Sequence, residues 1–235
     1  MKKASFTKIF SYFSLGEKIL WSFGVCLILI AFILFDRTNY MTLLASLIGV
    51  TSLIFNAKGN PVGQFLIILF SMIYGVISYS FSYYGEMITY LMMTTPMAIL
   101  SLIAWLKNPF KGNKSEVAIN RINKGEGICM IALTFFVTLL FYFILKFFHT
   151  ANLLPSTLSV TTSFLAVFLT YKRDPRFALA YASNDFVLII LWSLASFEDL
   201  TYISVTVCFV IFLINDLYTF FNWKRMEKRQ LANPS

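Results

Sequence analysis

Residues 177–223 read FALAYASNDFVLIILWSLASFEDLTYISVTVCFVIFLINDLYTFFNW. Two apolar runs flank a short acidic turn at Glu198-Asp199. Each run is broken by the same dipeptide, Asn184-Asp185 in the first and Asn215-Asp216 in the second. Apolar runs of about 18 residues or more read as membrane-spanning helices. A carboxylate inside such a helix is costly to hold in lipid and marks a functional position by default. The stretch therefore predicts two helices crossing a membrane with a polar centre.

The same texture fills the rest of the chain. Of its 235 residues 58% are hydrophobic and 13% are charged, against about 25% charged in soluble domains. The fold class predicted is an all-α integral membrane protein. Enzyme chemistry finds no support. Cys26, Cys129 and Cys208 are far apart in apolar runs and match neither a disulfide framework nor a metal spacing. The turn Gly59–Gln64 lacks the Lys-Ser/Thr of a phosphate-binding loop. No catalytic set, metal site or cofactor motif is predicted.

Eight apolar segments are expected, near 18–35, 39–57, 61–83, 85–106, 127–148, 153–171, 177–197 and 200–222. Ser14-Leu15-Gly16-Glu17 has the pattern of a capping box ahead of the first. Within residues 1–17, Phe6, Ile9, Phe10 and Phe13 share one helix face opposite Thr7, Lys8 and Ser11, the pattern of an amphipathic surface helix. Residues 107–126 form the one long polar loop, and residues 223–235 a basic tail.

Eight spans bring both termini to one side, and charge tests that count. Seventeen of the 19 Lys and Arg fall on the terminal side, leaving only Arg37 and Lys146 opposite. Basic residues accumulate on the cytoplasmic side of membrane proteins, so both termini are predicted to be cytoplasmic. The net charge of +8 is thereby topology, and nucleic acid is not an expected partner.

An offset of 114 aligns Pro61 with Pro175 and Asn108 with Asn222. It relates segments two to four to segments six to eight. The predicted layout is an additional helix at 18–38, a three-helix repeat at 39–108, a loop and linker helix at 109–152, and a second repeat at 153–222. This is a 3+1+3 core of parallel repeats, a known transporter plan. The polar faces obey the same offset. Gln64, Ser71 and Ser78 repeat every seven residues, and their counterparts are Ala178, Asp185 and Trp192. Segment four carries Glu86, Tyr90, Thr94, Met97, Ser101 and Trp105 on one face, with Asn215 in the place of Ser101.

Both Asn-Asp pairs lie roughly 13 Å from the terminal side at 1.5 Å per residue, near the midplane. Asn184 and Asn215 offer amides that donate and accept, and Asp185 offers an acceptor. Tyr74, Trp192 and Tyr218 offer ring surface. Asp216 sits about 100° around its helix from Asn215 and reads as packing. The Ser/Thr cluster of segment six reads as close packing, Trp105, Trp21 and Trp223 as an interfacial belt, and Thr94-Thr95 as relief of a kink at Pro96.

The stretch Asn56-Ala57-Lys58-Gly59-Asn60-Pro61-Val62-Gly63-Gln64, followed by Tyr74-Gly75, Tyr83-Tyr84-Gly85-Glu86 and Trp105-Leu106-Lys107-Asn108, resembles the first repeat of the PnuC family. Asn184-Asp185, Leu191-Trp192 and Asn215-Asp216-Leu217-Tyr218 resemble the second. Those proteins are nicotinamide riboside transporters, also labelled nicotinamide mononucleotide transporters. The resemblance spans roughly 39–225. It implies a core related to the SWEET fold, substrate held between the repeats, a homotrimer in the cell membrane and facilitated diffusion. Carried over by position, Asn184, Trp192 and Asn215 lead the pocket candidates, with Gln64 and Tyr74 behind; the polar faces and ring surface read above add Asp185, Tyr218 and Ser101. Segment four departs from better-known members in keeping Trp105 alone of a Trp-Tyr-x-Trp pattern, and in having Ala98 where others carry Asn. Two alternatives stand beside uniport of a vitamin or nucleoside. One is proton-coupled transport through Asp185 or Asp216, and the other a membrane scaffold that transports nothing.

Overall fold

The computed structural model describes residues 11–80, 83–150 and 152–233. The expected N-terminal amphipathic face falls largely outside them. Among the described residues eight helices are long and apolar enough to cross a membrane: α1 (Leu15–Phe35), α2 (Tyr40–Ala57), α3 (Pro61–Ser80), α4 (Tyr84–Lys107), α5 (Lys124–Phe147), α6 (Leu153–Lys172), α7 (Phe177–Ser196) and α8 (Leu200–Ala232). Local chemistry sets their ends. The Ser14 hydroxyl accepts from Glu17 N and the Glu17 carboxylate from Ser14 N, closing the capping box that starts α1 three residues early. Asn123 and Glu126 form a second box at α5. Glu17, buried, also holds Lys58 at 3.3 Å and the Tyr218 hydroxyl at 3.1 Å, tying α1 to α2 and α8.

Three features depart from the sequence expectation. Helix α4 widens into a π turn at Thr89–Thr94, just before Pro96, which has no N–H to give. The Thr95 hydroxyl donates to Tyr90 O at 2.8 Å and meets Ser71 Oγ at 2.8 Å. Ala98 is buried where Met97 was expected, while Ser101 and Trp105 keep the expected face. Helix α8 continues ten residues past the expected end at 222, through the basic tail to Ala232. The polar loop holds a small antiparallel hairpin, β1 (Pro109–Phe110) with β2 (Asn113–Val117).

Helices α2, α3 and α4 pack in sequence, as do α6, α7 and α8. The third helix of each trio packs on the first of the other, α8 on α2 and α4 on α6. Helix α5 leans on α6, and α1 on α2 and α8. Both leave large apolar side chains such as Phe135, Phe136 and Ile33 exposed, as a lipid-facing surface requires.

The α2–α3 and α6–α7 turns match bond for bond at the offset of 114. Gly59 and Arg173 are both left-handed, at φ 64° and 63°. Gly59 N donates to Asn56 O and Arg173 N to Thr170 O. Asn60 N donates to Phe55 O and Asp174 N to Leu169 O. The side chains of Asn60 and Asp174 each accept from the amide two residues on, at 3.0 Å. One strand of the loop touches both turns, through Val117 N to Gly59 O (2.9 Å) and Asn120 N to Arg173 O (3.1 Å).

A candidate substrate site at the centre of the bundle

Trp105 and Trp223, expected in an interfacial belt, point inward instead and are fully buried. Each donates its indole N–H across the trios: Trp223 to Asn56 O at 2.8 Å, Trp105 to Thr170 O at 3.0 Å. The two acceptors are themselves 114 residues apart. With Phe177 the indoles close the basic end of the bundle, their rings 4.7–6.4 Å apart. Beyond the plug, Gln230 accepts from Ile119 N and donates to Val117 O. Arg121 pairs with Glu227. Asp174 receives Ile122 N and the Arg176 guanidinium. Burial opposes ionisation of Asp174, but the hydrogen bonds from Arg176 and Ile122 outweigh it and hold the carboxyl below its usual range.

Above the plug lies a central cavity of about 40 Å³. That is room for water and far short of the roughly 300 Å³ or more of a small-molecule site. Asn56, Tyr90, Thr94, Ser163, Tyr181, Asn184, Asp185 and Asp216 supply its polar lining, and Phe70, Phe177, Phe209 and Phe212 much of the rest. The Asn184 carbonyl accepts from Thr162 and Ser163, both at 2.9 Å. Both of its lone pairs are thus used, and the amide donors are what it has left to offer. The Ser/Thr cluster of α6 is therefore a hydrogen-bonding shelf, not only close packing. Gln64 Nε2 donates to Asn56 Oδ1 at 2.8 Å. Gly63 makes room for that contact, since a Cβ there would stand 2.2 Å from Asn56 Oδ1.

At the opposite end Tyr83, Trp192 and Tyr202 close over the cavity, with ring centroids 4.8–6.1 Å apart. Tyr74 links them to Phe70 and Tyr90, at 5.4 and 4.4 Å. Glu86, on the polar face expected of segment four, is buried, and Ser159 donates to it at 3.3 Å.

Of the candidates read from sequence, Asn184 and Asp185 line the cavity. Gln64 reaches it through Asn56, and Tyr74 through Phe70 and Tyr90. Trp192, Asn215 and Ser101 are buried but stand off its wall. Tyr218 is not brought there; its hydroxyl is held by Glu17. Asp216, read as packing, lines the cavity, while Asn215 turns its amide back to Ile211 O at 2.8 Å. Asn56, Tyr181, Phe209 and Phe212 were not singled out for a site. Of these Asn56 alone stood in a quoted motif.

One property unites this interior. Tyr74 OH, Ser78 Oγ, Glu86 Oε2, Ser101 Oγ, Asp185 Oδ2, Trp192 Nε1 and Asn215 Oδ1 are buried without a hydrogen-bond partner. Folded proteins keep such atoms rare, and each calls for an explanation such as a bound molecule. Among the described residues no group of three His, Cys, Asp or Glu comes together that could hold a metal ion.

The family model described as nicotinamide mononucleotide transporter matches residues 39–225. A relative from Neisseria mucosa named nicotinamide riboside transporter PnuC is 25% identical over 203 residues, covering 83% of this chain and 76% of its own. One of the same name from Haemophilus influenzae is 22% identical over 192 residues, covering 81% and 82%. The crystal structure titled Vitamin B3 transporter PnuC superposes with a TM-score of 0.80 at 20% identity, over 92% of this chain and 94% of that one. That likeness shows a shared fold.

Proposed function

The chain belongs to the nicotinamide mononucleotide transporter family, and on that premise we propose that it carries nicotinamide riboside, or a closely related vitamin or nucleoside, across the cell membrane by facilitated diffusion. The observation that carries this reading is the set of buried, unpartnered polar atoms inside the bundle, Asp185 Oδ2 on the cavity wall among them. A scaffold has no use for them, whereas a carrier hands their hydrogen bonds to its cargo. The names of the two relatives agree with the cargo. Asn184, Asp185, Asn56 and Asp216 hold the polar groups of the substrate. Trp192, Tyr74, Asn215, Ser101 and Gln64 join the site when the bundle opens.

The trios act as two parallel repeats of a 3+1+3 core related to the SWEET fold, with α5 as linker and α1 outside it. The bond-for-bond match of the two turns supports this, and so do the crossed indole bonds. In the closed arrangement described here the aromatic rings seal one end and the Trp105–Phe177–Trp223 plug the other. Transport is then a rocking of one trio against the other around the cavity. Both termini lie in the cytoplasm, following the basic end, and the protein assembles as a homotrimer.

Uptake of radiolabelled nicotinamide riboside into proteoliposomes tests the reading. The expected result is saturable uptake that stops at equal concentrations and ignores an imposed proton gradient. Accumulation driven by the gradient would replace facilitated diffusion with proton coupling. No uptake of any vitamin or nucleoside would end the transporter reading.

A further inference from the structure

The charge of the cavity wall narrows what fits inside. Asp185 on α7 and Asp216 on α8 both line it, each almost fully buried. The two residues face the same small cavity from helices packed against each other. Among the described residues the lining contains no Lys, Arg or His. The other ionisable groups facing it are Tyr90 from α4 and Tyr181 from α7, while α2, α3 and α6 contribute none. Nothing in the lining balances a negative charge on either carboxyl. Asp185 Oδ2 has no donor. A buried charge without a partner is costly, so the wall is built for a positive charge that arrives with the cargo.

The remaining lining says which kind. A primary ammonium is compact, strongly hydrated and needs several acceptors. This wall instead presents aromatic rings (Phe70, Tyr90, Phe209 and Phe212), which attract flat cations through their faces. We propose that Asp185 and Asp216 together read the charge of the cargo, so that the cavity selects a permanently cationic aromatic ring over its uncharged isostere. The inference rests on the cavity being the cargo site.

Nicotinamide riboside and its 1,4-dihydro form make the comparison, since they share the sugar and carboxamide and differ by a hydride and one positive charge. Binding to the purified full-length protein is measured by calorimetry, and uptake into proteoliposomes runs alongside. The wild type is expected to prefer the cationic form about thirtyfold, or ~2 kcal/mol at about 1.4 kcal/mol per tenfold. The isosteric double variant Asp185→Asn, Asp216→Asn should bring that ratio within about threefold, with a melting temperature in detergent close to that of the wild type to certify its fold. Asp185→Glu, which keeps the charge, should retain most of the preference. Equal binding of both forms by the wild type would overturn the inference, as would a preference that survives the double substitution. Either result leaves the transporter reading intact. Binding of neither form by the wild type would instead remove that reading, and the inference with it.

Discussion

The basic end of the bundle and its midplane use the same materials to different ends. At the basic end two indoles, two turns and one loop strand join the helix trios through hydrogen bonds, and the buried groups that span the join find partners. At the midplane Asp185 Oδ2, Asn215 Oδ1 and Ser101 Oγ are just as buried and find none. Unmade hydrogen bonds cost stability. The unpartnered atoms run from the midplane toward the opposite end, and none belongs to the plug at the basic end, which separates the part of the molecule that holds it together from the part that waits for something else.

Substitutions can break this contrast, and they should do so unequally. Trp223→Ala removes a fully buried ring and its bond to Asn56 O. It should cost about 3–5 kcal/mol, read as a large fall in thermal stability in detergent; little change would mean the plug is not structural. Asn184→Ala should do the reverse, weakening nicotinamide riboside binding tenfold or more while lowering the melting temperature far less than Trp223→Ala. If stability falls and affinity does not, Asn184 is a helix tie. Gly63→Ala forces a methyl group against Asn56 and should cost roughly 1–3 kcal/mol. It couples the two regions, because Asn56 borders the cavity as well as the plug, so both stability and affinity should fall.

The smallest effect carries a sign in pH. Asp174 ionises below its usual range when folded, so its stabilisation is complete above the unfolded value of about 3.9 and is lost as pH falls through the folded value. Asp174→Asn should cost about 1 kcal/mol at neutral pH, the exposed Arg176 limiting the gain from the pair. The gap in melting temperature between variant and wild type should close below about pH 4. A gap that widens in acid would contradict the assignment.

Much of this was legible in the sequence. The spans were, because lipid demands unbroken apolar runs of a set length. The inward faces were too: Gln64, Ser71 and Ser78 are all buried, as are Asp185 and Trp192 opposite them. What escaped depends on rotation and depth. Whether Asn215 or Asp216 meets the cavity turns on the roll of α8, which its packing on α2 and α7 sets and a helical wheel does not. The π turn in α4 adds one residue that no periodicity announces. Trp105 and Trp223 sit at the height of a belt, and only the partners opposite them, two carbonyls on the other trio, show that they face inward.

The central claim is that cargo binds among the unpartnered groups at the midplane. A structure determined with nicotinamide riboside bound tests it most directly. The account predicts a ligand between the trios, within hydrogen-bonding distance of Asn184 and Asp185, in a cavity grown well beyond its present 40 Å³. A ligand bound elsewhere, with the midplane still closed and its polar atoms still unpartnered, would contradict it.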